Sequence, residues 1–328
     1  MKILVTGSSG HLGEALMRTL ENSNHEATGV DLIPGKFTHF VGSVVNRAFV
    51  RERVRGTEAI LHTATLHKPH VVTHSHQHFI ATNITGTLNL LEEAAAQDVR
   101  SFIFTSTTST FGDALTPEPH EPAAWITENV QPIPKNIYGI TKTAAEDLCW
   151  MVHRNKKLNC LVLKTSRFFP EEDDNPSRRE AYSDVNLKAN EFLHRRVDVQ
   201  DVVDAHLLAM ERAPLIGFGK YIISAMAPFT AADCPELHRN APAVVRKYYP
   251  EYEELYRQAG WKMFPAIGRV YVNHKAGKEI GWVPKYSFQH LLNCLREGKD
   301  YRSPLTRLIG KKGYHSKKFK EGPYPVSE

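Results

Sequence analysis

Met1-Lys2-Ile3-Leu4-Val5-Thr6-Gly7-Ser8-Ser9-Gly10-His11-Leu12-Gly13 opens the chain, and its reading decides the fold. Lys2–Thr6 is a short apolar run suited to a buried strand, and helical spacing follows over residues 13–21. Between them, Gly7, Gly10 and Gly13 let the backbone turn tightly and approach a pyrophosphate, whose charge then sits at the helix N-terminus. A glycine-rich loop alone is a weak signal. Here Asp31 follows the second apolar run, 26–30, where its carboxylate can accept hydrogen bonds from adenosine ribose hydroxyls. That carboxylate repels the extra phosphate of NADP, so the expected cofactor is NAD.

Working outward, further strand-like runs lie at 59–62, 101–105 and 160–163, with helical spacing at 49–55, 79–97 and 137–153. Such alternation predicts an α/β fold: a Rossmann doubly wound parallel sheet with helices on both faces. Residues 1–165 and 197–225 read as the dinucleotide-binding Rossmann domain. Beyond Pro228 the strand–helix rhythm fades, and residues 166–196 and 226–310 read as a smaller C-terminal α/β substrate-binding domain. Residues 113–135 carry Pro117, Pro119, Pro122, Pro132 and Pro134, which predicts a long loop placed to act as a lid. Residues 311–328, with Lys311, Lys312, Lys317 and Lys318, read as a solvated basic tail.

Composition narrows the class. The 41% hydrophobic and 23% charged content sets disorder aside, and a net charge of +5 is too small to argue for nucleic acid. No apolar run approaches the roughly 18–20 residues of a membrane helix. The first residues carry no secretory pattern, and Cys149, Cys160, Cys234 and Cys294 lack CxxC spacing. They read as reduced thiols of a cytoplasmic protein.

Tyr138-Gly139-Ile140-Thr141-Lys142 supplies the chemistry. Tyr138 and Lys142 share one helix face. Hydride transfer at a carbinol carbon needs a proton moved on its oxygen, and a tyrosine ionising near ~10 is a poor base at neutral pH. A neighbouring ammonium lowers that value, and the same lysine can hold the nicotinamide ribose. Upstream, the strand Phe102-Ile103-Phe104 runs into Thr105-Ser106-Thr107-Thr108, hydroxyls placed at the crevice end of the sheet to orient a substrate oxygen.

Together these residues resemble the extended short-chain dehydrogenase/reductase family, the NAD-dependent epimerase/dehydratase group. Ile60-Leu61-His62-Thr63-Ala64, Asn83-Ile84-Thr85-Gly86-Thr87, Glu146, Val197-Asp198-Val199-Gln200-Asp201-Val202 and Ile280-Gly281-Trp282-Val283-Pro284 extend the resemblance to about residue 295. It implies that Gly7, Ser9, Gly10, His11, Leu12 and Gly13 cover the pyrophosphate, and that Ser43 and Val44 lie by the adenine. Ala64, Thr65 and His67 would line the middle of the cofactor, Asn83 would support the site, and Ser166 would approach the nicotinamide. Thr107 aligns with the hydroxyl member of a catalytic triad with Tyr138 and Lys142, Ser106 being the fallback. The resemblance also implies a homodimer through helices 79–97 and 137–153.

Two departures shape the expected function. Thr108 and Ser109 stand where sugar-nucleotide 4,6-dehydratases carry Asp-Glu, which removes the acid and base of water elimination. Arg167 stands where nucleotide-sugar epimerases tend to have Asn, and a guanidinium there can clamp a carboxylate or phosphate. Substrate contacts are therefore expected from Thr107, Thr108, Tyr138 and Arg167. The leading expectation is an epimerase of the sugar-nucleotide 4-epimerase type. A dehydrogenase or reductase of a secondary alcohol, sugar or sugar acid is the alternative, and a catalytically silent NAD sensor is the reading from another class. His67, His70, His74, His76 and His78 cluster without a Cys, Asp or Glu among them, so a polar loop near the cofactor is expected and no metal.

Overall fold

Strands that are apolar along nearly their whole length must lie in a sheet covered on both faces. The structure, a computed structural model, describes residues 1–313, 319–320 and 322–324. The chain begins β1 (Lys2–Thr6), α1 (His11–Glu21), β2 (Glu26–Asp31), β3 (Phe40–Val41), α2 (Arg47–Val54) and β4 (Ala59–His62). It continues α3 (His76–Phe79), α4 (Gly86–Ala96), β5 (Ser101–Thr107), β6 (Ala124–Ile126), α5 (Ile137–Lys156) and β7 (Cys160–Thr165). Next come α6 (Pro176–Ala181), α7 (Asp184–Glu191), α8 (Val199–Ile216) and β8 (Phe218–Ile223). The last elements are α9 (Cys234–Tyr248), α10 (Tyr252–Ala259), β9 (Arg269–Tyr271), α11 (His274–Ile280), α12 (Phe288–Arg296) and α13 (Pro304–Ile309).

The main sheet is seven-stranded in the order β3-β2-β1-β4-β5-β7-β8, and every pairing in it is parallel. Strand order reverses at β1, so the loops after β1 and β4 part there and leave a crevice at the strands' C-terminal ends. On one face Leu12, Leu16 and Leu20 of α1, spaced at four residues, pack with Val202, Val203 and Met210 of α8. On the other, Val50 of α2, Leu90 and Leu91 of α4 and Cys149 of α5 close the sheet. A separate core gathers α9, α10 and α12 around Leu237, Val245, Tyr256 and Phe288. Trp282, 1% exposed, packs with the first core and donates to the Asp201 carbonyl at 2.9 Å. Truncating such a side chain costs about 3–5 kcal/mol.

Several local expectations are corrected. β5 and β7 run two residues further than their apolar stretches, because Ser106↔Lys164 and Thr107↔Thr165 continue the backbone ladder with polar side chains. The helix expected over 79–97 starts earlier, at His76, and passes through a π-helical turn, Ile80–Thr85, before α4. Such turns arise where tertiary contacts outweigh the regular ladder.

The segment 113–135 is not a free lid. Its β6 pairs with β9, Arg269 donates to the Gly112 and Ala114 carbonyls at 2.9 and 2.8 Å, and Ile222 N donates to Glu128 at 2.9 Å. The apolar Ala124-Trp125-Ile126, hidden among prolines, finds strand partners for its backbone and pins the loop. The basic tail is also corrected in part: Lys311 and Lys312 are in contact with the folded body, while residues 314–318 lie outside the described residues. No helix among the described residues is long and apolar enough to cross a membrane.

Candidate active site

The loops after β1, β4, β5 and β7 enclose a cavity of about 950 Å³. Gly7, Ser9, Gly10, His11, Leu12, Gly13, Asp31, Val44, Ala64, Thr65, His67, Thr107, Thr108, Tyr138, Ser166 and Arg167 all line it, so the crevice gathers most of the residues singled out from the sequence. Ser43, Asn83 and Lys142 do not line it.

The glycine turn is fixed by contact as much as by conformation. Gly7 has φ +77°, and a Cβ there would stand 2.7 Å from Ala64 N. A Cβ on Gly13 would stand 1.9 Å from the Gly7 carbonyl oxygen, so only glycine lets α1 begin this close to the turn. Asp31 holds the loop by accepting from Ser9 N at 2.9 Å and Ile33 N at 3.0 Å. A backbone cradle at a helix N-terminus with a carboxylate beside the second strand is the donor and acceptor set that NAD needs, and these residues fit it.

At the other end of the cavity Thr107 and Tyr138 line the same wall, and His67 lies 6.5 Å from the Tyr138 ring, centroid to centroid. Burial pushes Tyr138 up to about 12, with the nearby Thr107 hydroxyl pulling the other way. The lysine does not offset this. Lys142 stands behind the wall, donating to the Thr105 carbonyl at 2.6 Å, with Nζ 3.9 Å over the Phe104 ring. Burial pulls it down to about 7, against the attraction of Glu146. The expectation that the ammonium lowers the tyrosine is thus corrected for this geometry, in which the phenol holds its proton.

Two expected site residues act from outside the cavity. Asn83, delivered by the π turn, accepts from Thr65 Oγ1 and Leu66 N and donates to the Leu66 carbonyl and Thr141 Oγ1. It ties the wall after β4 to α5. The Ser43 hydroxyl accepts from Val45 N at 3.1 Å, a local turn contact. His62 at the end of β4 bridges Thr6 Oγ1 and Thr87 Oγ1 at 2.7 and 3.0 Å. Burial takes it down to about 3, which keeps it neutral.

Arg167 lines the cavity but is already engaged. It pairs with Asp173, with Asp174 at 3.4 Å and with Glu191 at 3.4 Å. Sequence reading missed these partners, and it missed the cavity-lining Lys68, Phe169, Glu171, Arg195, Lys312 and Tyr324. The paired signs of the acidic run 171–174 and the basic residues around it were the available signal. His67 stacks on Phe169 at 5.3 Å, and His70, His74 and His78 follow it in edge-to-face contact. Among the described residues no group of three or more His, Cys, Asp or Glu side chains is arranged to hold a metal ion.

The family model for the NAD dependent epimerase/dehydratase family matches residues 3–217. The chain belongs to that family. Within it, the chain is 28% identical over 188 residues to the uncharacterized UDP-glucose epimerase YtcB of Bacillus subtilis (strain 168). That match covers 52% of this chain and spans about half, 56%, of the relative's length. It is 25% identical over 326 residues to a UDP-glucose 4-epimerase of Rhizobium leguminosarum bv. trifolii, covering 88% of this chain and 94% of that protein. A short-chain dehydrogenase/reductase superfamily protein from Agrobacterium tumefaciens, solved with bound NAD, aligns at TM-score 0.63 and 20% identity. The alignment covers 91% of this chain and 98% of that one, and it shows the shared fold.

Proposed function

We propose that this chain interconverts a secondary carbinol and its ketone by hydride transfer, as an epimerase of the sugar-nucleotide 4-epimerase type. The observation that carries the reading is that Thr107 and Tyr138 line the same cavity as the glycine turn. Similarity to UDP-glucose 4-epimerases supports the substrate class. NAD, when bound, supplies the hydride acceptor and returns the hydride.

Each protein group then has a task. Thr107 orients the phenol and the substrate oxygen. As the phenol, Tyr138 gives its proton to the oxygen of a ketone as hydride returns; in the outward step it takes the alcohol's proton only once it is the phenolate. Lys142, held by the Thr105 carbonyl, is the neighbouring charge that reaching toward the cavity would bring to the phenolate. Asp31 accepts from the adenosine ribose, while Ser166 and Ala64 line the way to the reacting end.

A second reading, a dehydrogenase of an acidic carbinol, is favoured by one cluster. Among the described residues, Lys68, Arg167, Arg178, Arg195 and Arg196 pair with Asp173, Asp174 and Glu191, more cations than carboxylates. Arg195 Nε and Ser166 Oγ are buried without a hydrogen-bond partner among the described residues, and both side chains line the cavity. An acid group on the substrate would meet them.

The test follows absorbance at 340 nm and the products while the protein and NAD meet UDP-sugars, free sugars and sugar acids. An epimer formed without net NADH supports the first reading, and steady NADH accumulation selects the second. Tyr138→Phe is expected to abolish turnover and to spare NAD binding. Undiminished turnover in that variant removes Tyr138 from the mechanism. The homodimer implied by the family resemblance would use α4 and α5, where Ile140, Trp150 and Met151 are exposed, and light scattering of the purified chain tests it.

A further inference from the structure

In the main sheet β5 lies between β4 and β7. A contact between the loops after β4 and β7 must therefore pass over the end of β5, where Thr107 stands. Residues 168–174, in the loop after β7, make such contacts. The Phe169 ring stacks on His67 at 5.3 Å, with the planes 17° apart, and meets His11 edge-on at 5.2 Å. Asp174 pairs with Lys68. Glu171 Oε1 stands 2.9 Å from Nε2 of His11, the first residue of α1, and accepts from the backbone N–H groups of Lys312 and Gly313 at 3.0 and 3.1 Å. The segment thus reaches from β7 across the ends of β5 and β4 to the glycine turn. All of these contacting residues line the cavity that Gly10 and Tyr138 share.

The two flanks of the segment are held differently. On the side of α6 and α7 its backbone is fixed. Arg196 Nη1 donates to the Phe169 carbonyl at 3.1 Å, Lys188 Nζ to the Pro170 carbonyl at 2.6 Å and Arg179 Nη1 to the Asp173 carbonyl at 2.6 Å. These are charge-assisted bonds, the stronger kind. Toward β1 and β4 the segment reaches with side chains, through an aromatic stack, an imidazole–carboxylate contact and an ion pair whose lysine is 34% exposed. A stack or a partly exposed pair holds weakly. The near flank is a hinge by this comparison, and the far flank is what lets go. Glu171, Asp173 and Asp174 are buried although the run is acidic, so the segment lies down on the crevice instead of standing in water.

We propose that residues 168–174 form a latch across the crevice, closed by the Phe169–His67 stack and the Lys68–Asp174 pair, and that NAD enters and leaves only when these part. The proposal rests on the reading that the cavity takes NAD. An elongated ligand running from the glycine turn to Tyr138 lies under the bridge, which then bars arrival and departure alike. A residue that only touches the ligand changes release and leaves association nearly as it was. A latch acts on both, because the fraction of time it stands open scales both rates.

Fluorescence titration of the full chain with NADH comes first, and absence of binding there would overturn the cofactor reading and the latch with it. Given binding, stopped-flow fluorescence of NADH measures association and displacement. Phe169→Leu and Lys68→Met are each expected to raise both rate constants about fivefold and to leave Kd within about twofold, the scale of one lost stack or partly exposed ion pair. The double variant should raise both rates further. Faster release with unchanged association, and so a raised Kd, would overturn the latch by making these side chains direct ligand contacts. Rates that stay within about twofold of the parent, or fall, would also overturn it, while the titration still supports the cofactor reading. If Phe169→Leu does not fold, Lys68→Met decides.

Discussion

Ser106 Oγ lies 2.5 Å from Glu146 Oε1, and this contact fastens the end of β5 to the middle of α5. The same carboxylate receives Lys164 Nζ at 2.7 and 2.8 Å and Lys220 Nζ at 3.2 Å. The Ser106 hydroxyl is therefore occupied, which leaves the neighbouring Thr107, lining the cavity with Tyr138, as the hydroxyl for catalysis.

Thr107→Val is accordingly expected to lower kcat about a hundredfold, the scale of losing one positioned donor in an active site. Ser106→Ala should keep most of the activity and lose about 1–3 kcal/mol of stability, since Glu146 loses a buried partner. Steady-state rates and denaturant unfolding of both variants separate the roles. The reverse pattern would move the catalytic hydroxyl to Ser106.

Glu146 answers two lysines in a buried place. Burial pushes its carboxyl up, but the charges of Lys164 and Lys220 carry it below the usual carboxylate range. Glu146→Ala would strand Lys164, which is 3% exposed at its side chain, and is expected to cost about 3–5 kcal/mol. Unfolding in urea measures it, and a loss below about 1 kcal/mol would show that the lysines find other partners.

Gly13→Ala places a methyl group where the Gly7 carbonyl already lies. The turn must open, so NAD titration should show binding lost or weakened by orders of magnitude. Retained affinity would mean that the cofactor is not seated on this turn.

An acid limb of stability is expected from Glu171. Burial raises its carboxyl, yet the hydrogen bond and attraction of His11, together with the Lys312 and Glu171 backbone N–H groups, outweigh this and bring it from 4.5 to about 2. A folded-state value below the unfolded one contributes stability that is present above 4.5 and is lost as pH falls toward about 2. Glu171→Gln should flatten that part of the curve. Parallel curves for parent and variant across the window would contradict the assignment.

Much of this architecture was readable from residue order, because buried parallel strands and a glycine turn with its acid leave contiguous marks. Lys2–Thr6, Ala59–His62 and Asp31 needed no tertiary information. What stayed hidden has a common cause. Ala124–Ile126 looks like loop among its prolines until β9, far along the chain, supplies backbone partners. Arg167 advertises a free guanidinium in the sequence, and only the fold brings Asp173, Asp174 and Glu191 to it. The direction taken by Lys142 is a rotamer choice, decided by the Thr105 carbonyl and the Phe104 ring. A lysine-rich terminus reads as solvated until the acidic run opposite is known.

The contact between Ser9 and Lys312 joins positions 303 residues apart. A ribosome delivers the glycine turn 303 residues before its lysine partner. The parallel sheet from β1 to β8 is in hand when residue 223 emerges, while the cavity still lacks one wall. The wall that Lys312 and Gly313 supply can therefore be added only after every strand of that sheet has been made.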